Sequence, residues 1–408
     1  MAEYGLLGRK LSHSISPEIH TLLCGYDYRL IEKEPEELDS FFSQKDFKGI
    51  NVTIPYKKNV IKYCSELSDT AKKIGSVNTI VRRKDGTLYG DNTDYFGFSY
   101  MVKKSGIKIK NKTALVLGTG GASLTVNAVL EDMGAEKILS VSRNGKINYK
   151  NVYDFAPIDV IINTTPVGMY PNNGERLLEL DRFKGLSGVL DLIYNPSLTP
   201  IVYDAKNLGI PYCSGLSMLV AQAWLSAQSF ISRELDESEI ERVINILEKK
   251  RKNIVLIGMP GSGKSTVSEM LGKNLSREVV DTDKLIEEYD GRKIPEIFAQ
   301  SGEDYFRDIE SKITAQVGKR SGIIISTGGG AVLREENRYA LKQNGVVLWL
   351  RRNTEELERS GRPLSANSEA LKKMEEIRNP IYGSMADYEI EVDSDPEKTY
   401  QKIPENIL

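Results

Sequence analysis

The chain has 408 residues, of which 40% are hydrophobic and 27% charged, and its formal net charge is −2. That is an ordinary globular composition with room for more than one domain, and it carries no basic excess for nucleic acid. Met1-Ala2-Glu3-Tyr4 has no basic segment before an apolar stretch, and no apolar run approaches the ~18 residues of a membrane span, so a cytoplasmic protein with neither nucleic-acid nor membrane partners is expected.

Three widely spaced cysteines, Cys24, Cys64 and Cys213, speak against a disulfide framework. With His13 and His20 as the only histidines, zinc sites are disfavoured and acid–base work falls to Lys, Asp and Arg. Strand-like and helix-like segments alternate from end to end, the signature of parallel α/β layers.

Before residue 100 several polar clusters stand out. Ser12-His13-Ser14-Ile15-Ser16-Pro17 forms a turn after the first strand, and Asn51-Val52-Thr53-Ile54-Pro55-Tyr56-Lys57 alternates until proline breaks it. That alternation is expected to set Asn51, Thr53 and Lys57 along one rim. Ser76-Val77-Asn78-Thr79 and Asp91-Asn92-Thr93-Asp94 follow. Each alone reads as a cap or turn; together they suit a polyhydroxylated acid, with Lys57 and Asp94 as the proton-transfer pair.

Thr113–Leu117 is a buried-strand pattern, and Gly118-Thr119-Gly120-Gly121-Ala122-Ser123 follows it into a helix. Such a turn either lets a pyrophosphate approach the backbone or binds nothing. The strand Lys137–Val141 then ends in Ser142-Arg143-Asn144, where a cation suits a 2′-phosphate, although a solvated Arg is the plain alternative. NADP is expected over NAD.

Acids at Asp236-Glu237-Ser238-Glu239 and cations at Lys249-Lys250-Arg251-Lys252 bracket a helix whose dipole they complement. The next strand, Asn253–Ile257, leads into Gly258-Met259-Pro260-Gly261-Ser262-Gly263-Lys264-Ser265 and then a helix from Thr266. This is the full phosphate-loop pattern in its required context. The glycines let amide groups face a polyphosphate, Lys264 reaches the outer phosphates and Ser265 ligates Mg²⁺, so binding of a nucleoside triphosphate is expected here.

Residues 1 to about 240 resemble shikimate dehydrogenase through Ser12–Pro17, Asn51–Lys57, Val77-Asn78-Thr79, Asn92-Thr93-Asp94, Asn163-Thr164-Thr165-Pro166-Val167-Gly168-Met169 and Gly215–Ala223. The resemblance implies a two-domain dehydrogenase with an NADP-binding Rossmann domain. Residues 1–98 plus 212–240 would bind substrate and 99–211 the cofactor. It also implies that Ser14, Ser16, Thr53, Asn78, Tyr194 and Gln222 hold substrate, and that Lys57 and Asp94 serve the reaction. Gly118, Gly120, Gly121, Ala122, Ser142, Arg143 and Met169 would contact NADP. The family's Asn-Arg-Thr is here Ser142-Arg143-Asn144.

After a helical junction at 241–252, residues 253–408 resemble shikimate kinase, a phosphate-loop α/β domain of the nucleoside-monophosphate-kinase kind. The resemblance rests on the loop, Asp281-Thr282-Asp283, Ser301-Gly302-Glu303-Asp304-Tyr305-Phe306-Arg307, Ser326-Thr327-Gly328-Gly329-Gly330, Arg362-Pro363-Leu364, and Arg378 with Tyr382. It implies that Asp283, Arg307, Gly329, Gly330 and Arg378 bind shikimate and that Asp281 joins Ser265 at Mg²⁺. Gly258, Gly261, Ser262, Gly263, Lys264, Ser265, Thr266 and Arg362 would hold ATP, with Lys264 and Arg362 serving catalysis. Planar, bidentate Arg side chains suit a carboxylate, and Asp283 suits a hydroxyl.

Together the two stretches imply reduction of 3-dehydroshikimate followed by phosphorylation of shikimate. A quinate or related dehydrogenase using NAD, or one half serving as a non-catalytic regulatory module, remain the alternatives. Oligomeric state is not legible.

Overall fold

The computed structural model describes residues 3–12, 14–44, 46–353 and 368–408. They form two compact units, one of Met1–Val167, Arg176–Tyr194 and Ile201–Ile246, the other of Gly168–Glu175, Asn195–Pro200 and Leu247–Leu408.

The first unit holds two sheets. Strands β1 (Tyr4–Gly8), β2 (Tyr28–Glu32), β3 (Gly49–Val52), β4 (Glu66–Leu67), β5 (Thr79–Arg82) and β6 (Leu88–Asp91) form a six-stranded sheet in the order β2-β1-β3-β5-β6-β4. Pairing is parallel from β2 to β3 and antiparallel from β3 through β5 to β6. Alternation sends Leu7 of β1 into one core with Phe41, Phe42 and Ile50, while Tyr4 and Leu6 pack with Phe230 on the opposite face.

The second sheet is parallel throughout. It comprises β7 (Thr113–Leu117), β8 (Lys137–Val141), β9 (Val160–Asn163), β10 (Gly188–Asp191) and β11 (Tyr212–Ser214), ordered β11-β10-β9-β7-β8. The chain goes one way from β7 to β8 and the other way to β9, so a crevice opens at the carboxyl ends of β7 and β9. The helix Asp94–Ser105 is continuous across residues 98 and 99.

In the second unit β12 (Asn253–Ile257), β13 (Val279–Asp281), β14 (Ile324–Ser326), β15 (Gly345–Arg351) and β16 (Tyr388–Glu391) form a parallel sheet ordered β13-β14-β12-β15-β16. Ile254 and Leu256 face one core, Val255 and Ile257 the other, as a central strand covered on both faces requires. The expected helix before β12 is Ser238–Arg251, with Glu239 and Glu241 in its first turn and Lys249, Lys250 and Arg251 in its last. Its terminal carbonyls are met by Arg277, 2.7 Å from the Lys249 oxygen and 2.8 Å from that of Lys252.

The run Ile294–Gly318 is two helices that meet at a kink at Gly302, whose positive φ of 84° glycine tolerates, so the motif Ser301–Arg307 opens the second of them. One local expectation is corrected. Asn51 does not share a rim with Thr53 and Lys57. It is 4% exposed, accepting from the Tyr28 hydroxyl at 2.7 Å and donating to Thr79 Oγ1 at 3.0 Å, because its strand is covered on both faces.

His20 lies fully buried in the helix Ser16–Cys24, stacked 3.9 Å from the Tyr28 ring and 2.6 Å from the Tyr26 hydroxyl. Burial drives its pKa down to about 3 from 6.5. Above pH ~6.5 the ring is neutral folded or unfolded; as pH falls below that, only the unfolded chain gains the proton, so stability drops about 1.4 kcal/mol per pH unit until the folded value is reached. Urea unfolding of the first unit at pH 7 and pH 5 tests this. His20→Phe is expected to shrink the difference between the two pH values by about 2 kcal/mol, and an unchanged difference would refute the assignment.

Candidate active sites

In the first unit the polar clusters converge where β3 and β6 end and β5 begins. Lys57 Nζ lies 2.6 Å from Asp94 Oδ2, and the two side chains are 23% and 14% exposed. Lys57 follows the turn at Pro55 that succeeds β3 and is anchored by its carbonyl, which accepts from the Val77 amide at 2.8 Å. Asp94 opens the helix Asp94–Ser105. A cation and a carboxylate in contact, open to solvent on one side, can hold and deliver a proton.

Beside this pair Asn78 is 3% exposed, and its carboxamide oxygen accepts from the Thr93 amide at 2.7 Å. Its Nδ2 donates to Thr93 Oγ1 at 3.1 Å and to Gln222 Oε1 at 3.5 Å. Gln222 comes from the helix Leu216–Ile231, far along the chain. Gly97 allows this meeting: a Cβ there would stand 2.6 Å from the Met218 carbonyl and 3.0 Å from Gln222 Cβ. Thr79 and Thr93, both 0% exposed, complete the network and were not singled out individually from sequence.

Ser14 donates to Ser16 Oγ at 3.1 Å at the start of the first helix. Thr53 hangs from the end of β1 through its amide, 2.9 Å from the Leu7 carbonyl.

At the crevice of the second sheet Gly118 has a φ of 100°, and a Cβ on it would stand 2.9 Å from Thr165 Cγ2 and 3.0 Å from Thr164 Oγ1. At Gly120 and Gly121 a Cβ would meet nothing within 4 Å. The protein's own packing therefore does not require those two glycines, whereas the close approach of an external group would. Ser142 is half-buried and Arg143 exposed just beyond β8. These residues fit a dinucleotide phosphate. Tyr194 ends a segment of the first unit, while Met169, 42% exposed, lies in the Gly168–Glu175 segment of the second.

The second unit contains a cavity of about 410 Å³ lined by Gly261, Gly263, Lys264, Ser265, Thr266, Asp281, Asp283, Arg307, Gly328, Gly329, Gly330 and Arg378, among others. Gly258, Gly261 and Gly263 have φ values of 146°, 84° and 90°, which fold the loop back onto the helix Lys264–Leu275. Lys264 is 8% exposed, its ammonium 2.9 Å from the carbonyls of both Gly258 and Met259. Ser262 Oγ is buried without a hydrogen-bond partner, a polar group that a bound phosphate would satisfy. Ser265 Oγ lies 3.4 Å from Asp281 Oδ2. Among the described residues no three His, Cys, Asp or Glu groups cluster to hold a metal. A hydroxyl with one carboxylate is nevertheless what Mg²⁺ uses when substrate phosphates and water complete its shell. The loop fits ATP with Mg²⁺.

Across the cavity Arg307, 7% exposed, lies 2.7 Å from Glu310 and 2.9 Å from Glu303. Burial pushes the Glu310 carboxyl above its ordinary range, with Arg307 pulling the other way. The glycine run is required by space. A Cβ on Gly328 would stand 2.5 Å from Asp283 Oδ1, one on Gly329 2.8 Å from Pro260, and one on Gly330 2.3 Å from Arg307 Nη1. Tyr382, on the same helix as Arg378, donates to the Gly329 carbonyl. Sequence reasoning missed Glu310, Arg352, Met374 and the apolar wall of Ile294, Pro295, Phe298 and Phe306; the i, i+3 spacing of Arg307 and Glu310 on a helix was the available signal. Arg362 lies outside the described residues.

The family model for the shikimate dehydrogenase substrate binding domain matches residues 6–80, and that for shikimate kinase matches residues 260–408. The NADP(+) shikimate dehydrogenase of Clostridium beijerinckii is 39% identical over 271 residues, covering 62% of this chain and all of that protein. Among solved structures, a chorismate mutase/shikimate 5-dehydrogenase fusion protein from Clostridium acetobutylicum is 38% identical with a TM-score of 0.57, covering 60% of this chain and 97% of that one. The Thermus thermophilus shikimate 5-dehydrogenase, solved with NADP(H) and shikimate, is 28% identical with a TM-score of 0.53, covering 60% of this chain and 99% of that one. The chain belongs to the shikimate dehydrogenase family through its N-terminal part and carries a shikimate kinase domain in residues 260–408.

Proposed function

We propose that this chain reduces 3-dehydroshikimate to shikimate with NADPH and then phosphorylates the 3-hydroxyl of shikimate with ATP and Mg²⁺. The observation that carries the reading is the Lys57–Asp94 contact of 2.6 Å in a chain that also folds Lys264, Asp283 and Arg307 around one cavity. The hydroxyl made by the first chemistry is the nucleophile of the second. NADPH supplies the hydride when bound, and ATP with Mg²⁺ supplies the phosphoryl group and the charge that screens it.

In the reductase, Lys57 gives its proton to the C3 oxygen as the carbonyl carbon is reduced, and Asp94 keeps the ammonium aimed and charged until then. Ser14, Ser16, Thr53, Asn78, Tyr194 and Gln222 hold the carboxylate and hydroxyls. Gly118, Gly120, Gly121 and Ala122 leave the backbone open to the pyrophosphate, Ser142 and Arg143 meet the 2′-phosphate, and Met169 contacts the cofactor.

In the kinase, Arg307 and Arg378 hold the shikimate carboxylate and Gly329 and Gly330 leave room for the ring. Asp283 accepts a hydrogen bond from the 3-hydroxyl and orients it for attack. Lys264 and the amides of Gly258, Gly261, Ser262, Gly263, Ser265 and Thr266 offset the phosphate charge, while Ser265 and Asp281 hold Mg²⁺. The chemistry is that of a cytoplasmic biosynthetic enzyme.

A coupled assay with 3-dehydroshikimate, NADPH, ATP and Mg²⁺, following NADPH loss and ADP formation together, tests the reading as a whole. Failure of either signal in folded protein would remove that half of it.

Three variants test its parts. Lys57→Ala should lower the reductase kcat by roughly 10²–10⁴-fold with a much smaller change in KM, as expected of a proton donor acting in the transition state. Poor binding with normal turnover would reassign Lys57 to substrate binding. Lys264→Ala in the full chain should abolish ADP formation and leave NADPH oxidation nearly intact; loss of both activities from folded protein would refute two separate chemistries. Arg143→Ala should erase much of the preference for NADPH over NADH, and equal use of both cofactors by the unmodified enzyme would contradict the assignment.

A further inference from the structure

Three neighbouring strands of the parallel sheet in the first unit end side by side at the crevice. Leu117 of β7 pairs with Asn163 of β9, and Asn163 pairs with Asp191 of β10. Asn163 and Asp191 are both 0% exposed, so a carboxamide and a carboxyl group lie buried just below the opening. They are bonded to each other, with Asn163 Nδ2 donating to Asp191 Oδ1 at 3.0 Å. Buried groups of this polarity are retained only where they have partners, and the partners here are the backbones of two turns.

On the β7 side, Asn163 Oδ1 accepts from the Thr165 amide at 3.0 Å and from the Thr165 hydroxyl at 2.8 Å, and Thr165 Oγ1 accepts from the Val167 amide at 3.2 Å. The Thr164 hydroxyl donates to the Leu117 carbonyl at 2.7 Å. These are the two threonines against which Gly118 is packed, so the turn 164–167 forms the floor under the glycines that open the crevice. On the β10 side, Asp191 Oδ1 also accepts from the Ile193 amide at 3.0 Å, and the Asn163 carbonyl accepts from the Leu192 amide at 3.0 Å. The Ile193 carbonyl accepts from the Gly215 amide at 2.9 Å, and a Cβ on Gly215 would stand 2.0 Å from the Leu192 carbonyl oxygen. The segment that leads into Tyr194 therefore has no slack.

We infer that Asn163 and Asp191 are positioning residues of the reductase, one buried pair that sets both the turn under the cofactor glycines and the segment ending in Tyr194. The inference rests on the roles proposed above for Gly118, Gly120 and Tyr194. Neither side chain reaches the surface of the crevice, so each acts through the amides it holds rather than by touching a ligand. A buried amide that loses its acceptor moves to find another, and a shift of a fraction of an ångström lowers the occupancy of the productive geometry. Asp191 serves both turns, whereas Asn163 Oδ1 and Thr165 serve the cofactor side alone.

The test uses the full-length enzyme with Thr165→Val, Asn163→Ala and Asp191→Ala, and reads NADPH affinity by titration without substrate as well as the steady-state constants. Thr165→Val and Asn163→Ala are expected to raise the NADPH dissociation constant and KM by roughly 3- to 10-fold and to leave KM for 3-dehydroshikimate within about twofold, whereas Asp191→Ala raises both KM values. The Asn163→Ala/Thr165→Val double variant should lose little more than Asn163→Ala alone, since the same bonds are broken. In the cofactor-free protein, amide hydrogen exchange should quicken at 164–167 and 192–194 together in Asp191→Ala, and at 164–167 alone in Thr165→Val. Thr165→Val keeps the shape of its side chain, so it is read in the same way should Asp191→Ala fail to fold. If folded Thr165→Val and Asn163→Ala keep the NADPH constants within about twofold of the parent, or if Asn163→Ala raises both KM values equally, the inference is wrong. Gly120→Ala reads the cofactor assignment independently, because a Cβ there meets nothing in the protein. Weaker NADPH binding in Gly120→Ala with none in Thr165→Val and Asn163→Ala overturns the positioning role alone, whereas the reverse pattern upholds positioning and moves the cofactor away from Gly120.

Discussion

Both chemistries depend on what happens at the carboxyl end of a parallel sheet where the strand order reverses. There the loop after the central strand must carry its backbone across the opening, and any side chain that filled it would exclude the ligand. The first unit meets this demand after β7 with Gly118, held left-handed against Thr164 and Thr165, followed by two glycines that face open space. The second meets it after β12, where a Cβ on Gly258 would stand 2.4 Å from the Leu350 carbonyl of the neighbouring strand. In each case the strand fixes where the loop begins and the glycines decide what can reach it.

The substrate side is governed by close approach of a different kind. In the first unit the helix carrying Gln222 passes Gly97 so tightly that Gln222 joins Asn78 and Thr93 in one buried network beside Lys57 and Asp94. In the second, three successive glycines leave Asp283 and Arg307 within van der Waals reach of the backbone. Arg307 is held there by Glu303 and Glu310, and a pair buried this deeply makes the removal of one partner costly because it strands the other charge.

In the reading proposed above the two sites recognise one substrate skeleton with different groups. Amides and hydroxyls predominate around the Lys57–Asp94 ion pair of the first. The cavity of the second is lined by Lys264, Arg307 and Arg378, cations that suit the negative charge of a carboxylate and of phosphates.

Much of this was legible in the chain order. The phosphate loop, the alternation of strand and helix, the junction helix and the glycine-rich turn after β7 are local patterns, and the backbone conformations they demand are set by residue types a few positions apart. The pairing of Lys57 with Asp94 could be anticipated from their chemistry. That Gln222 completes the Asn78 network, that Asn51 turns into the core and that Glu310 backs Arg307 were decided by packing: each depends on which helix crosses which strand.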